Sequence, residues 1–189
     1  MNNDITAILL AGGKGRRLGG KDKGLTIFKS KPLIEYAIKL ASVQTPNIII
    51  SANRNHSAYE SYNYPVYADQ TNTFDGPLSG ISTCLQHVRT PYTFVLACDI
   101  PHCPKNIIDI LMNCMLESNA DSCMVIDGKR EQPLVSIFDT RLKANLETYL
   151  ANGHRKTLSW FLSTNHCFYV YKNAENAFDN INRIEQLES

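Results

Sequence analysis

A glycine-rich, basic segment near the start of the chain is its densest concentration of residues that could do chemistry. Segment 10–23 reads LAGGKGRRLGGKDK and carries five cations between Lys14 and Lys23. Closely spaced glycines let backbone N–H groups approach an anion, and the cations neutralise its charge. The segment therefore predicts a polyphosphate-binding loop, with a solvated basic loop as the alternative.

Two familiar phosphate-binding motifs do not fit this segment. The dinucleotide pattern GxGxxG would need a glycine at position 18, where Leu18 stands. Residues 15–21 match the front of a P-loop, but the next residue is Asp22 instead of the Ser or Thr that would bind magnesium. The glycines also begin at Gly12, too close to the preceding apolar run for that loop. Both motifs are excluded.

The apolar patterns of the chain predict strands that would place this loop at a sheet edge. Short apolar runs alternate with helical periodicities, which predicts an α/β domain with a mostly parallel sheet. In such sheets ligands bind outside the carboxyl ends of the strands, so the segments of interest follow Leu10, Ile50, Ala68 and Cys98. The expected strands are 5–10, 48–50, 65–68, 93–98, 123–126, 134–138 and 167–171.

The helix predictions rest on apolar spacing and on residues that begin or end helices. We expect helices through 33–41 and 78–85, one opened by Pro104, one capped by Asp139 and ended by Gly153, and a last short one begun by Asn182.

Composition excludes several classes of protein. The 189 residues are 43% hydrophobic and 20% charged, as in ordinary soluble domains, and this length favours a single domain. The formal net charge of +1 argues against sequence-independent binding to nucleic acid. No stretch approaches the roughly 20 apolar residues of a membrane span.

The cysteines and histidines show no spacing typical of a metal site or a nucleophile. Six cysteines are scattered without a CxxC pair. Since no signal-peptide core is present, we expect reduced thiols and a cytoplasmic location. Cys98, His102 and Cys103 form at most half of a zinc site, so buried apolar cysteines are the better interpretation. The five histidines lack a Ser or Cys partner, which leaves a nucleophilic hydrolase without support.

Several segments together resemble one family. Segment 11–25, AGGKGRRLGGKDKGL, resembles the signature of the molybdenum cofactor guanylyltransferases, which are nucleotidyltransferases with a Rossmann-like fold. Ser30, Ser51 and the pair 183–184 (Arg-Ile) depart from the family's Gly, Asn and Thr-Pro. The resemblance extends from about Ile5 to Leu187. The later matches, in order, are KPLI at 31–34, SANR at 51–54, GPLSG at 76–80, ACDIP at 97–101, QPL at 132–134 and NIN at 180–182.

The resemblance implies a Rossmann-like three-layer α/β/α nucleotidyltransferase domain over residues 1–189, nucleotide-binding in its N-terminal part and molybdopterin-facing in its C-terminal part. It implies transfer of GMP from GTP to the terminal phosphate of molybdopterin-bound molybdenum cofactor, with release of pyrophosphate and Mg²⁺ as cofactor. GTP and that cofactor are thus the expected partners. Transient contacts with proteins that supply or accept the cofactor are expected as well.

The position of the residues and the resemblance together assign candidate roles. Asp99 is the candidate magnesium ligand, because a carboxylate after the strongest predicted strand suits a hard cation; its alternative is a turn before Pro101. Lys23 and Arg17 are the other catalytic candidates, as phosphate-binding cations, with Arg16 the alternative to Arg17. The nucleotide-binding candidates are Leu10, Ala11, Gly12, Gly13, Lys23, Ser51, Asp69 and Asp99. The substrate-binding candidates are Gly76, Gly80, Arg155, Asn180 and Asn182.

Some of these candidates have ordinary structural alternatives, and so does the function. Asp69 could belong to a surface turn, and Arg155 to an exposed helix end that attracts cations. A cytidylyltransferase acting on the same or a related small phosphate is the nearest rival enzyme. A non-catalytic carrier of nucleotide or pterin is the rival from another class. Retention of both the cationic loop and Asp99 favours an enzyme over a carrier.

Overall fold

A seven-stranded sheet organises the molecule. The computed structural model describes residues 1–12, 22–69, 76–172 and 176–181. Seven of the strands form the main sheet, and β2 and β3 pair as a separate short ribbon. The strands of the described residues are β1 (Ile5–Leu10), β2 (Ile27–Phe28), β3 (Lys31–Pro32), β4 (Asn47–Ser51), β5 (Val66–Tyr67), β6 (Tyr92–Ala97), β7 (Ser122–Ile126), β8 (Glu131–Asp139) and β9 (His166–Val170).

The strand order of the main sheet is β5-β4-β1-β6-β8-β7-β9. Strands β5, β4, β1 and β6 run parallel to one another, whereas β8 is antiparallel to both of its neighbours. The prediction of a mostly parallel α/β sheet is therefore confirmed. Because the four parallel strands point the same way, the segments that follow them converge at one edge of the sheet.

Helices cover both faces of the sheet and give three layers. Alternate residues of β1 show this: Ala7 and Leu9 pack in one buried cluster, whereas Ile8 and Leu10 pack in another. The helices are α1 (Leu33–Ser42), α2 (His56–Glu60), α3 (Pro77–Leu85), α4 (Ile107–Glu117), α5 (Lys143–Ala151) and α6 (Thr157–Leu162). The first cluster contains buried residues of α1, α2 and α4, and the second contains those of α3, α5 and α6.

Two predicted helix starts are wrong in detail. Helix α4 begins at Ile107 and not at Pro104, because the buried Gln44 side chain accepts hydrogen bonds from the N–H groups of Ile108 (3.0 Å) and Asp109 (3.4 Å). Asp139 caps a short 3₁₀ turn, Thr140–Leu142, through the N–H of Arg141, and α5 follows that turn. A cap from a distant residue cannot be seen in the local sequence.

Helix α6 was not predicted, and the expected last helix from Asn182 lies outside the described residues. Six residues are too few to show a helical period, yet α6 carries the fully buried Trp160 and Phe161. Trp160 packs edge-on against Phe138 of β8, with ring centroids 5.3 Å apart. None of the helices in the described residues is long and apolar enough to span a membrane.

Candidate active site

A lysine, an aspartate and an asparagine from distant parts of the chain meet beyond the end of β6. Asp99 follows this strand and is only 6% exposed. Its Oδ2 forms an ion pair with Lys23 Nζ and accepts a hydrogen bond from Asn180 Nδ2 at 2.9 Å. The N–H of Ile181 donates to the carbonyl of Asp99 at 2.8 Å, which ties segment 176–181 to the same point. Three predicted site residues are thus brought together.

The other carboxylate oxygen of Asp99 suits a metal ion. Oδ1 is buried and accepts no hydrogen bond from the described residues. A buried acceptor without a partner is unfavourable, and a hard cation such as a divalent metal prefers carboxylate oxygens. The residues at this point therefore fit a divalent metal held by Asp99.

The segment after β1 is fixed by hydrogen bonds to the neighbouring strand ends. The N–H groups of Ala11 and Gly12 both donate to the carbonyl of Ser51, at 2.9 and 3.1 Å, and the carbonyl of Leu10 accepts from Cys98 N–H at 3.1 Å. These N–H groups are used inside the protein, so they are not the backbone groups through which these nucleotide-binding candidates would contact a ligand. Within the described part of the chain no hydrogen bond reaches the carbonyls of Ala11 and Gly12. Those carbonyls are the backbone groups that a ligand could use.

Helix α3 passes so close to β4 that only glycine fits at position 80. A Cβ on Gly80 would lie 2.5 Å from Ser51 Oγ and 3.2 Å from Asp69 Oδ1. Ser51 is 3% exposed, and its hydroxyl faces α3, where it also contacts the Cys84 thiol. Burial raises the pKa of that thiol to about 12, so it packs there as a neutral group. The hydroxyl of Ser51 therefore packs against α3, and its carbonyl accepts the hydrogen bonds that fix the segment after β1.

Asp69 is held by Asn53, a residue that the sequence analysis did not select. Asn53 Nδ2 donates to Asp69 Oδ2 at 3.0 Å, and the N–H of Asp69 donates to Asn53 Oδ1 at 2.8 Å. Gly12 lies against the same amide, since a Cβ there would be 3.5 Å from Asn53 Nδ2. This double hydrogen bond fixes the Asp69 carboxylate beside the segment after β1. The signal was available, because Asn53 lies in the SANR segment at 51–54.

The side chain of Asp22 fixes the backbone around Lys23 by hydrogen bonds. Its Oδ1 accepts from Tyr59 OH at 2.5 Å and from the N–H of Gly24 at 3.1 Å, and its Oδ2 accepts from Asn55 Nδ2 at 2.9 Å. Arg54 Nε lies 3.5 Å from the same Oδ2. Burial, and then the hydrogen bond to Asp22, raises the pKa of Tyr59 well above its ordinary value, so the hydroxyl keeps its proton. Asp22 thereby ties the lysine-bearing segment to α2.

The remaining substrate-binding candidates differ in what the structure shows. Gly76 has a φ of +89°, a conformation that favours glycine, immediately before α3. Arg155 Nη1 donates to the carbonyls of Leu150 and His154 at 2.8 Å, which is the helix-end use given above as its alternative. Its role toward a substrate stays a prediction. Gly13, Arg16, Arg17 and Asn182 lie outside the described residues.

Fold and site together define a class of protein. A lysine and an aspartate are paired at the carboxyl ends of parallel strands in a three-layer α/β/α domain, and in the sequence the lysine ends a glycine-rich basic segment. This combination of fold and charges is that of a Rossmann-like nucleotidyltransferase.

Comparisons with known proteins identify the family. The model of the MobA-like NTP transferase domain matches residues 7–166. A molybdenum cofactor guanylyltransferase of Shewanella piezotolerans is 36% identical over 188 residues, covering 100% of this chain and 92% of the relative. The same enzyme of Shewanella sediminis is also 36% identical, with 100% and 96% covered. The chain therefore belongs to the MobA-like NTP transferase family, as the sequence analysis expected.

A solved structure agrees on the fold. The molybdopterin-guanine dinucleotide biosynthesis protein A of Archaeoglobus fulgidus superimposes with a TM-score of 0.79 at 22% identity, covering 97% of this chain and 95% of that one. The likeness confirms the nucleotidyltransferase architecture that the resemblance implied.

Proposed function

We propose that this protein transfers GMP from GTP to the terminal phosphate of molybdopterin-bound molybdenum cofactor and releases pyrophosphate. The observation that carries the proposal is the meeting of Lys23, Asp99 and Asn180, at the strand ends where a nucleotide would lie. The family supports the reaction class, and relatives at 36% identity named molybdenum cofactor guanylyltransferase support the substrates.

The reaction asks the protein for positioning and charge neutralisation, and not for a strong base. An oxygen of the cofactor's phosphate attacks the α-phosphorus of GTP, and the bond from that phosphorus to the β-phosphate oxygen breaks. The attacking oxygen is already ionised near neutral pH. Catalysis then depends on holding two polyanions together and stabilising the leaving pyrophosphate. Lys23 is proposed to supply a positive charge for this, and Arg17 is proposed as a second phosphate-binding cation.

Mg²⁺ is the proposed metal, and Asp99 is its proposed ligand. Family membership supports a divalent metal in general, and the buried Oδ1 of Asp99, which accepts no hydrogen bond from the described residues, supports its place. When bound, the ion neutralises negative charge on the phosphates. Asn180 holds Oδ2 of the same carboxylate, so it restrains the orientation in which Oδ1 is presented.

Backbone carbonyls after β1 are proposed to select guanine. Guanine carries N–H donors on its Watson–Crick edge, and carbonyls can only accept hydrogen bonds. The carbonyls of Ala11 and Gly12 accept no hydrogen bond from other described residues, whereas the adjacent N–H groups already donate to Ser51. Gly13 and Asp69 are proposed to contact the same nucleotide. Two carbonyls in succession match the adjacent N1–H and N2–H donors of guanine, whereas the Watson–Crick edge of cytosine offers its amino group as the single donor group. The arrangement therefore favours the guanylyltransferase over its cytidylyl rival.

The C-terminal part is proposed to face the molybdopterin substrate. Gly80 on α3 lies against Ser51 and Asp69, and Asn180 is hydrogen-bonded to Asp99. Gly76, immediately before α3, is proposed to contact the same substrate. Arg155 and Asn182 are proposed as further contacts to this substrate. Residues 1–189 would then act as one nucleotidyltransferase domain, working in the cytoplasm with transient contacts to proteins that supply or accept the cofactor.

Pyrophosphate release tests the function directly. The protein is incubated with molybdenum cofactor, Mg²⁺ and each nucleoside triphosphate in turn. GTP is expected to give cofactor-dependent pyrophosphate and a dinucleotide product. Faster release from CTP would identify a cytidylyltransferase, and release from none would identify a carrier.

A further inference from the structure

Three cysteines that are scattered in the sequence form one cluster near the β9 edge of the sheet. Cys114 lies on α4, Cys123 on β7 and Cys167 on β9, where the last two are register partners. Their three sulfurs lie within 4.8 Å of one another, and the Sγ atoms of Cys114 and Cys167 are 3.9 Å apart. None of the three belongs to the candidate active site.

The cluster is well separated from Asp99. Cys123 faces Ile137 of β8, which in turn faces Phe94 of β6. Asp99 lies five positions beyond Phe94, which corresponds to about 16 Å along the strand direction, and two strand spacings add about 10 Å across it. Binding at the cluster and binding at Asp99 are therefore separate events.

We propose that Cys114, Cys123 and Cys167 form a binding site for a soft, thiophilic metal ion coordinated by three sulfurs. Cysteine sulfur is the ligand that selects such ions, zinc and cuprous copper among them, over the hard ions that suit Asp99. Among the residues that the structure describes, no fourth His, Cys, Asp or Glu side chain belongs to this cluster.

The distances suit trigonal coordination. An ion in the plane of three sulfurs, with metal–sulfur bonds of about 2.3 Å, needs sulfurs about 4.0 Å apart. The separation of Cys114 from Cys167 already has this value, at 3.9 Å. The other two separations, at most 4.8 Å, would have to shorten by about 0.8 Å or less. Rotation about the side-chain bonds can supply such a shift without moving the backbone.

Burial also suits a metal site with an entrance. Cys123 is fully buried at the base of the cluster, whereas Cys114 and Cys167 are partly exposed. An ion can therefore enter past the two outer sulfurs, and a water could complete the tetrahedral set that zinc prefers. The ion would link α4 to β7 and to β9, the strand at the edge of the sheet. Such a link stabilises the folded state, because it binds that state preferentially.

Metal titration of the reduced full-length chain tests the site. The protein, kept reduced by a phosphine and free of thiols, is titrated anaerobically with Cd²⁺, Zn²⁺ and Cu⁺ in saturating Mg²⁺. We expect one ion per chain by native mass spectrometry, a sulfur-to-metal charge-transfer band with Cd²⁺ or Cu⁺, and a Tm raised by about 5–10 °C at a hundredfold excess over Kd.

Matched variants separate the cluster from the other thiols and from the active site. Cys114→Ser and Cys167→Ser, both at partly exposed positions, should weaken binding at least tenfold. Cys103→Ala, which removes a buried cysteine outside the cluster, and Asp99→Asn should both keep the band. The proposal is overturned if the wild-type chain shows no band, or if the band survives in both serine variants. Formation of a Cys114–Cys167 disulfide with no metal uptake under any condition would also overturn it.

Discussion

Lys23 and Asp99 are 76 positions apart in the chain, yet the lysine Nζ and the aspartate Oδ2 form an ion pair at the edge of the sheet. The side chains are 23% and 8% exposed, so the pair is shielded from water on most sides. Lys23 forms an ion pair with the Asp99 carboxylate, and we propose that it also binds the phosphates of the nucleotide. Its removal should affect both binding and folding.

Lys23→Met keeps the aliphatic stem and removes the charge. We expect GTP affinity to fall by about 1.5–3 kcal/mol, the usual loss for a hydrogen bond to a charged group. Calorimetric titration with GTP and Mg²⁺ measures this loss, with the exposed Lys105→Met as the matched control. Unchanged affinity and unchanged kcat would restrict Lys23 to its structural role as the ion-pair partner of Asp99.

The same variant should also lower stability, because it leaves the Asp99 carboxylate nearly buried without its cation. We expect a loss of about 1–3 kcal/mol in the free energy of unfolding. Adding Asp99→Asn to Lys23→Met removes the isolated charge and should recover part of that loss. Denaturant unfolding of the two variants measures the difference. If the second substitution lowers stability further, the ion pair is not the cause.

Gly80→Ala should disturb the start of α3. The new Cβ would lie 2.5 Å from Ser51 Oγ, closer than side-chain carbons approach other atoms, so the Ser51 hydroxyl, the helix or the strand must shift. We expect a loss of about 1–3 kcal/mol in stability, as for overpacked cores. Ser51→Ala in the same chain removes the clashing hydroxyl and should restore part of the stability. A Tm equal to wild type for Gly80→Ala alone would contradict the close approach.

Asp139→Ala removes the cap of the turn before α5. The side chain of Asp139 accepts hydrogen bonds from the N–H of Arg141 at 2.8 Å and from its guanidinium at 2.7 and 2.9 Å. We expect a loss of about 1 kcal/mol at neutral pH, as for other caps.

The pH dependence of that loss follows from the sign of the pKa shift. The guanidinium of Arg141 is the main cause that lowers the pKa of Asp139 below its ordinary value in the folded protein. The contribution of the ionised Asp139 side chain to stability is therefore fully present above the pKa that Asp139 has in the unfolded chain. It is lost as the pH falls through the lower pKa that Asp139 has in the folded protein. Unfolding at neutral and acidic pH should show the difference between wild type and variant shrinking in acid. A constant difference would contradict the ionised cap.

Most of the regular elements could be predicted because their signals are local, whereas the five-residue helix α2 and the two-residue strands β2 and β3 were not predicted. The apolar run of β1 and the helical spacing of α1 each lie within ten or fewer residues, so pattern alone locates them. The cap of α4 could not be predicted, since Gln44 lies 64 positions before the N–H that it accepts from. The six residues of α6 are too short for a period to show.

In the candidate site, too, local sequence indicated some residues, whereas their contacts could be found only in the folded structure. Asp99 could be predicted from its place after a strong strand, and Lys23 from its place in the basic segment. Their pairing, and the support of Asp69 by Asn53, required the fold because each depends on the order of strands in the sheet. The cluster of Cys114, Cys123 and Cys167 was hidden for the same reason.

The carboxylate of Asp99 is the point on which the proposed reaction depends most. Asp99→Asn keeps the shape of the side chain and removes the charge that makes it a good ligand for a hard cation. Asn is nearly as good as Asp in a turn, so a turn-forming role for Asp99 predicts almost no change. The exposed Asp109→Asn on α4 is the matched control.

The decisive measurement is the rate of Mg²⁺-dependent pyrophosphate release from GTP and molybdenum cofactor by Asp99→Asn, with its Tm recorded on the same sample. We predict a fall in kcat of about 10²–10³-fold, as when a transition-state electrostatic contact is removed, in a protein that still unfolds cooperatively. Asp109→Asn should retain the wild-type rate. Near-normal turnover by Asp99→Asn would contradict the metal assignment and the mechanism built on it.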